Sequence, residues 1–206
     1  MAKTFIWVPC ADDGWDAEVY NFGTTKYIPC LQREPGKPYS DRTANWADIR
    51  GGDTLMIAAH GLPKSTEHVG WKSAGVVTLW SEHNLARAIR QKLSPGQRDL
   101  FISYQLLACW GADGWMGKDA FGAKLASVMG KAGLNGRVIA YKGKFIIGAT
   151  KRLVVKGSGR FTSLFGGSLS REALNAAIPT SKEDSVTIDS FNLYDAKRQE
   201  MVWRIP

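Results

Sequence analysis

The stretch "DTLMIAAHG", residues 53–61, is a short continuous apolar run opened by the Gly51-Gly52 turn and closed by His60-Gly61. A run without polar alternation suits a strand covered on both faces, as in a parallel sheet. "LFISYQLLAC", residues 100–109, has the same character and also ends in a chemically capable residue, Cys109. Between them, "SEHNLARAIRQKL" sets Leu85, Ile89 and Leu93 at i, i+4 and i+8, with Ser81 as N-cap and Pro95-Gly96 as the stop. The spacing predicts a helix with one apolar stripe.

Outward from this unit the alternation continues. "TFIWVP", residues 4–9, reads as a strand. The region 10–50 carries prolines, glycines and aromatics without helical period, and predicts loops with a hairpin. "AGVVTLW", residues 74–80, is a strand that forms a hairpin beside the His60 loop. The segment from Asp119 to Gly133 puts Phe121, Leu125, Val128 and Ala132 on one helical face, and "GRVIAYKG", residues 136–143, is another buried strand. Strand, helix, strand, helix, strand predicts an α/β fold with a mainly parallel central sheet and right-handed crossovers. Beyond Gly143 the pattern turns to hairpins, with a short helix from Ser170 to Ala177 and strands in "SVTIDSFNLYD" and "EMVWRIP", which predicts antiparallel additions to the same sheet.

The bulk composition agrees with one domain over 1–206, with a core at about 53–143, a loop-rich elaboration at 10–50 and a hairpin region at 144–206. A chain of 206 residues with 44% hydrophobic and 22% charged residues buries a core without metal or disulfide help. Its apolar runs are too short for a membrane span, and "MAKTFIWVPCADDGW" lacks a signal-peptide core. Cytoplasmic residence, or delivery by another route, is expected. The 3 cysteines are an odd, scattered set, which argues against a disulfide framework. Neither they nor His60, His68 and His83 have metal-ligand spacing, so no metal site is expected.

Charge is uneven. The net charge is +8, and no acid occurs between Asp119 and Glu172. That interval includes Lys142, Lys144, Lys151, Arg152, Lys156 and Arg160, a basic set able to face a polyanion or only to shield an edge strand. Without a recognition-helix, RNP or zinc-finger pattern, nucleic acid is not an expected partner.

In open α/β sheets functional groups gather beyond the C-terminal ends of the strands. If the strands ending in His60 and Cys109 are parallel neighbours, both side chains emerge at one edge. A thiolate beside an imidazole is a nucleophile with an acid/base partner, and the backbone N–H groups of Gly61 and Cys109 are candidate oxyanion donors. Cysteine after an apolar run is commonly core, the reading taken for Cys10 and Cys30. Joint occurrence with the His-Gly strand favours function for Cys109. Trp110 and Trp115 flank the cysteine and are candidates to wall a substrate pocket. Asp53 and Asp113 are candidates to orient His60 or hold a basic substrate residue, though turn and cap roles are favoured for both. "GADGWMGKD" fails as a phosphate loop by spacing, and no GxSxG motif is present.

The motifs "AAHG", "LLACWG" and "DAFGAKLA…RVIAY" resemble those of the caspase-like cysteine peptidases of clan CD, whose caspase version is Q-A-C-[RQG]-G with the histidine about 50 residues upstream. Leu107 stands where that motif has glutamine and Trp110 where it has arginine, glutamine or glycine, which sets the chain nearer to bacterial and toxin-type members than to true caspases. The resemblance implies a three-layer α/β sandwich, Cys109 as nucleophile, His60 as acid/base partner, a protein or peptide substrate and an effector or toxin role. It requires no cofactor. By analogy with self-cleaving toxin domains it also implies inositol hexakisphosphate as an activator, bound by the basic hairpin. The alternative is a noncatalytic module that binds a polyanion, nucleic acid or inositol phosphate.

Overall fold

The computed structural model describes residues 2–12, 26–28, 44–61, 66–147, 153–156, 193–195 and 200–206. Its centre is a six-stranded sheet of β1 (Thr4–Trp7), β2 (Lys26–Ile28), β3 (Thr54–Ala58), β7 (Ile102–Leu107), β8 (Gly136–Tyr141) and β12 (Glu200–Arg204). The spatial order is β12-β8-β7-β3-β1-β2. β2, β1, β3, β7 and β8 pair in parallel, and β12 closes the β8 edge antiparallel. The expected mainly parallel α/β sheet is present.

The apolar runs explain its position. Leu55, Ile57 and Ala58 of β3, and Ile102, Tyr104, Leu106 and Leu107 of β7, are fully buried. Residues of both alternating sets are therefore buried, with Thr54, Met56 and Gln105 half-buried, as in a sheet covered on two faces. Transfer of such side chains from water supplies about 1.5–3 kcal/mol each.

Helix α1 (Glu82–Lys92) starts where Ser81 predicts it, with the Ser81 side chain accepting from the Asn84 N–H at 3.3 Å. Leu85, Ile89 and Leu93 are buried, as the stripe requires. Pro95-Gly96 does more than stop this helix. Pro95 opens a second one, α2 (Pro95–Arg98), because its fixed φ suits a first turn. Ser94 N–H donates to Gln97 Oε1 at 3.0 Å, and Gln97 Nε2 donates to the Trp46 and Ile49 carbonyls. That buried amide ties α2 to the 3-10 turn Trp46–Asp48.

Helix α3 (Phe121–Lys131) is rotated from its expected face: Phe121, Leu125 and Met129 are buried, whereas Val128 and Ala132 are half-buried. Close approach to the sheet explains the rotation. A Cβ on Gly122 would lie 2.6 Å from the Trp203 ring and 3.1 Å from Ala140 Cβ, so this face meets β8 and β12. α1 and α3 pack together side by side. Arg90 Nε donates to Ala132 O at 2.9 Å near their C-terminal ends, and Lys124 Nζ lies 3.9 Å from Glu82 Oε1 near their N-terminal ends.

A second sheet joins β4 (His60–Gly61), β5 (Val69–Ser73) and β6 (Val76–Trp80), all antiparallel, the hairpin expected beside His60. Trp71 fastens it to the main sheet, donating from Nε1 to Ala58 O at 2.8 Å and meeting Trp80 edge-on at 5.1 Å. Lys26–Ile28 pairs parallel with β1, and 13–25 and 29–43 of the region expected to hold loops and a hairpin lie outside the described residues. One expectation needs correction. β9 (Lys144–Ile147), β10 (Leu153–Lys156) and β11 (Leu193–Asp195) form a third, separate antiparallel sheet, and among the described residues of the expected C-terminal additions only β12 joins the main sheet. Hairpin alternation specifies pairing but not the sheet that receives it. The expected helix from Ser170 to Ala177 lies outside the described residues.

Replacing Ile89 with alanine is expected to cost about 2–5 kcal/mol, against about 1 kcal/mol for Ser81→Ala, because the first opens a cavity and the second removes one cap bond. Denaturant titration of the two variants checks the order.

Candidate functional site

Three adjacent parallel strands run out at one edge of the main sheet. β1 is followed by Asp12, β3 by His60 and β7 by Cys109. The strand order reverses between β1 and β3, and such reversals are where open α/β sheets form their crevices.

Asp12 is 1% exposed. An ionised carboxylate at that depth costs several kcal/mol unless donors surround it. Lys72 N–H donates to its Oδ2 at 2.8 Å, and His60 Nε2 lies 3.1 Å from Oδ1 and 2.9 Å from Oδ2. A carboxylate accepts, so Nε2 carries the donated proton and Nδ1 is the imidazole's other working nitrogen. The His60 side chain is 50% exposed. One end of the ring is thus held in the interior while the ring as a whole reaches solvent.

Gly61 brings the histidine strand against the cysteine. A Cβ built on Gly61 would sit 1.6 Å from Cys109 O and 3.0 Å from Cys109 N. Only glycine fits that approach. It puts β4 directly on the Cys109 backbone, while His60 pairs across β4 and β5 with Gly70.

Cys109 is half-buried and packs on the core. It occupies a turn in which Gly111 N–H reaches back to Ala108 O at 3.3 Å and Trp110 has φ 55°. That left-handed position favours glycine, and a tryptophan there carries strain of about 1–2 kcal/mol. The surroundings hold it in place. Trp110 N–H donates to Gly143 O at 2.7 Å, Ala112 N–H to Tyr141 O at 3.0 Å and Gly122 N–H to Gly111 O at 2.9 Å.

The remaining sequence candidates divide. Asp113 Oδ2 accepts from Gly143 N–H at 2.7 Å, so it braces the cysteine turn from the other side of the same glycine. Asp53 accepts from Lys3 N–H at 2.7 Å and Arg50 N–H at 2.8 Å, at the opposite end of β3 from His60. Both acids have the turn and cap roles. Trp115 sits at the base of a two-residue turn closed by Lys118 N–H to Trp115 O at 2.9 Å. It is 42% exposed, and Met116 at the tip is 85% exposed. Lys118 Nζ reaches Glu67 Oε1 at 2.6 Å, linking the cysteine loop to the segment between β4 and β5.

The Lys118 hydrogen bond and charge hold the Glu67 carboxyl below its ordinary range. A lowered carboxyl pKa means that the link is complete above the usual carboxylate range and is lost as the pH falls through the lowered value. Both side chains are largely exposed, so the link orients loops and adds little stability.

Of the basic set, Lys142 is half-buried beside β8. Lys144 and Lys156 fall on the paired strands β9 and β10. Lys151, Arg152 and Arg160 lie outside the described residues, as does Cys30. No group of three or more potential metal ligands occurs among the described residues. Nor is any helix among them long and apolar enough to cross a membrane.

Asp12 is the residue that sequence reasoning missed. Its signal was the rule that found the others, a reactive group just past a buried strand, but "ADDGW" reads as a solvated acidic loop. No protein-family model matches the chain, and comparison with curated proteins finds no match.

Gly61→Ala is expected to displace β4 from Cys109, lowering stability by about 1–3 kcal/mol through overpacking. It should also change Cys109 accessibility, whereas Gly75→Ala in the β5–β6 turn should leave that accessibility unaltered. Thiol labelling followed by mass spectrometry reads both.

Proposed function

We propose that the protein is a cysteine peptidase of caspase-like type, with Cys109 as nucleophile, His60 as acid/base and Asp12 as the residue that positions His60. The observation that carries this reading is the contact of Gly61 with the Cys109 backbone, which brings the histidine and cysteine loops to one sheet edge. The Asp12 hydrogen bond to His60 adds to it, since a buried carboxylate serves an imidazole by fixing its tautomer and orientation. The α/β architecture is the class that the resemblance to clan CD implies.

The chemistry follows from the groups. The Cys109 thiol gives its proton to His60, and the thiolate attacks the carbonyl carbon of a peptide bond. The oxyanion is received by the backbone N–H groups of Gly61 and Cys109. Collapse breaks the C–N bond while His60 gives its proton to the leaving amine, and an acyl-thioester remains on Cys109. His60 then takes a proton from water, hydroxide adds to the thioester, and the thiol departs with that proton. Trp110 and Trp115, with Asp113 bracing the loop, line the approach to the thiol.

The test is alkylation by iodoacetamide across pH with mass-spectrometric mapping, paired with a peptide-library assay. Fast labelling confined to Cys109 and slowed in His60→Ala is the expected result, with turnover lost in Cys109→Ala. Turnover that survives in Cys109→Ala would refute the reading. Asp12→Asn should lower turnover by about 10²–10⁴-fold and shift its pH profile. A purely structural aspartate would reduce the amount of folded enzyme without moving that profile.

A further inference from the structure

Away from the cysteine edge, α1 and α3 enclose a groove of about 410 Å³. Gly122 N–H bonds the cysteine turn, so α3 begins at that edge, and at 1.5 Å per residue its C-terminal end is about 15 Å away. The groove runs along the two helices, from His83 and Asn84 in the first turn of α1 to Lys131 and Ala132 at the end of α3.

Its chemistry is two-sided. Arg87 and Arg90 of α1 and Lys131 of α3 supply three exposed cations, with His83 and Asn84 at the start of α1, and the half-buried Val128 and Ala132 supply apolar surface. No carboxylate lines it, and the nearest acid on α1, Glu82, is paired with Lys124.

Helix dipoles account for part of this charge. Arg90 and Lys131 are in last turns, where cations are favourable. Arg87 lies further up α1, where that effect has faded, and repels Arg90 one turn on. Arg90 is also held across the groove, its Nε donating to Ala132 O, which leaves its terminal N–H groups for bidentate contact with two oxygens of one anion.

We infer that the α1–α3 groove binds an organic phosphate, in which a phosphate group meets Arg87, Arg90 and Lys131 and an apolar body covers Val128 and Ala132. A volume of about 410 Å³ is within the usual range for small-molecule pockets, and a nucleotide has this combination of charge and ring. The inference is independent of the peptidase reading.

Isothermal titration of the full chain with ATP, inorganic tripolyphosphate and adenosine tests it, with Arg87→Gln/Lys131→Gln as the groove variant. Lys3→Gln/Lys72→Gln removes the same charge elsewhere as a control. Saturable ATP binding, tighter than tripolyphosphate and weakened at least about tenfold in the groove variant but not in the control, is the expected result. Absence of ATP binding, equal weakening in both variants, or tripolyphosphate binding as tight as ATP would overturn it. Unchanged circular dichroism of the groove variant ensures that a loss reports the site and not the fold.

Discussion

A parallel strand pair cannot be closed by a tight turn; the chain must cross a face of the sheet before it re-enters beside its neighbour. β3 is hydrogen-bonded in parallel to β1 on one side and β7 on the other, and that double pairing imposes most of what else is seen. The crossovers cover the strands, which is why β3 is apolar from Leu55 to Ala58 and why even Ser103 of β7 is buried. They also bring every parallel strand to its end on the same edge. Asp12, His60 and Cys109 are far apart in sequence and adjacent in space for this one reason.

Burial then gives the edge its electrostatic character. Asp12 is nearly inaccessible to water, and its carboxylate is satisfied by a backbone donor from β5 and a ring donor from His60. β5 is itself anchored through Trp71 to Ala58, immediately ahead of the His60 loop. The tryptophan packing beneath this region, Trp7 on Trp46 at 4.9 Å and Trp71 on Trp80 at 5.1 Å, supports the elements on which the histidine stands. A ring positioned by a buried group on a rigid base loses little entropy when it acts, which is the property that preorganised sites require.

What was legible in the sequence was local. Leu85, Ile89 and Leu93 marked their helix because one period governs all three, and the strands ending at His60 and Cys109 were legible as short, largely apolar runs. Asp53 was legible as a cap because one of its partners, the Arg50 N–H, lies in its own turn, whereas the Asp113 bond to Gly143 spans 30 residues. Asp12 was not, since its partners lie 48 and 60 residues away and nothing near it distinguishes a buried acid from a solvated one. The same limit explains the rotated face of α3: Gly122 reads as a weak helix residue until Trp203, from the far end of the chain, packs over it. Pro95 was legible as the stop of one helix but not as the start of the next, because that start depends on Ser94 and Gln97 closing a capping box around it.

The two positions in the site that break local rules do so in opposite directions. Gly61 has no side chain because a neighbouring backbone occupies the space where one would be. Trp110 keeps a large side chain where the backbone, at φ 55°, would be more relaxed with glycine. Stability alone would exchange Trp110 for a smaller residue, and the bonds from its N–H to Gly143 O and from Gly143 N–H to Asp113 hold the strained turn closed instead. The strain beside the half-buried thiol is thus offset by bonds on both sides of the turn, which fix the direction in which the Cys109 side chain leaves the sheet.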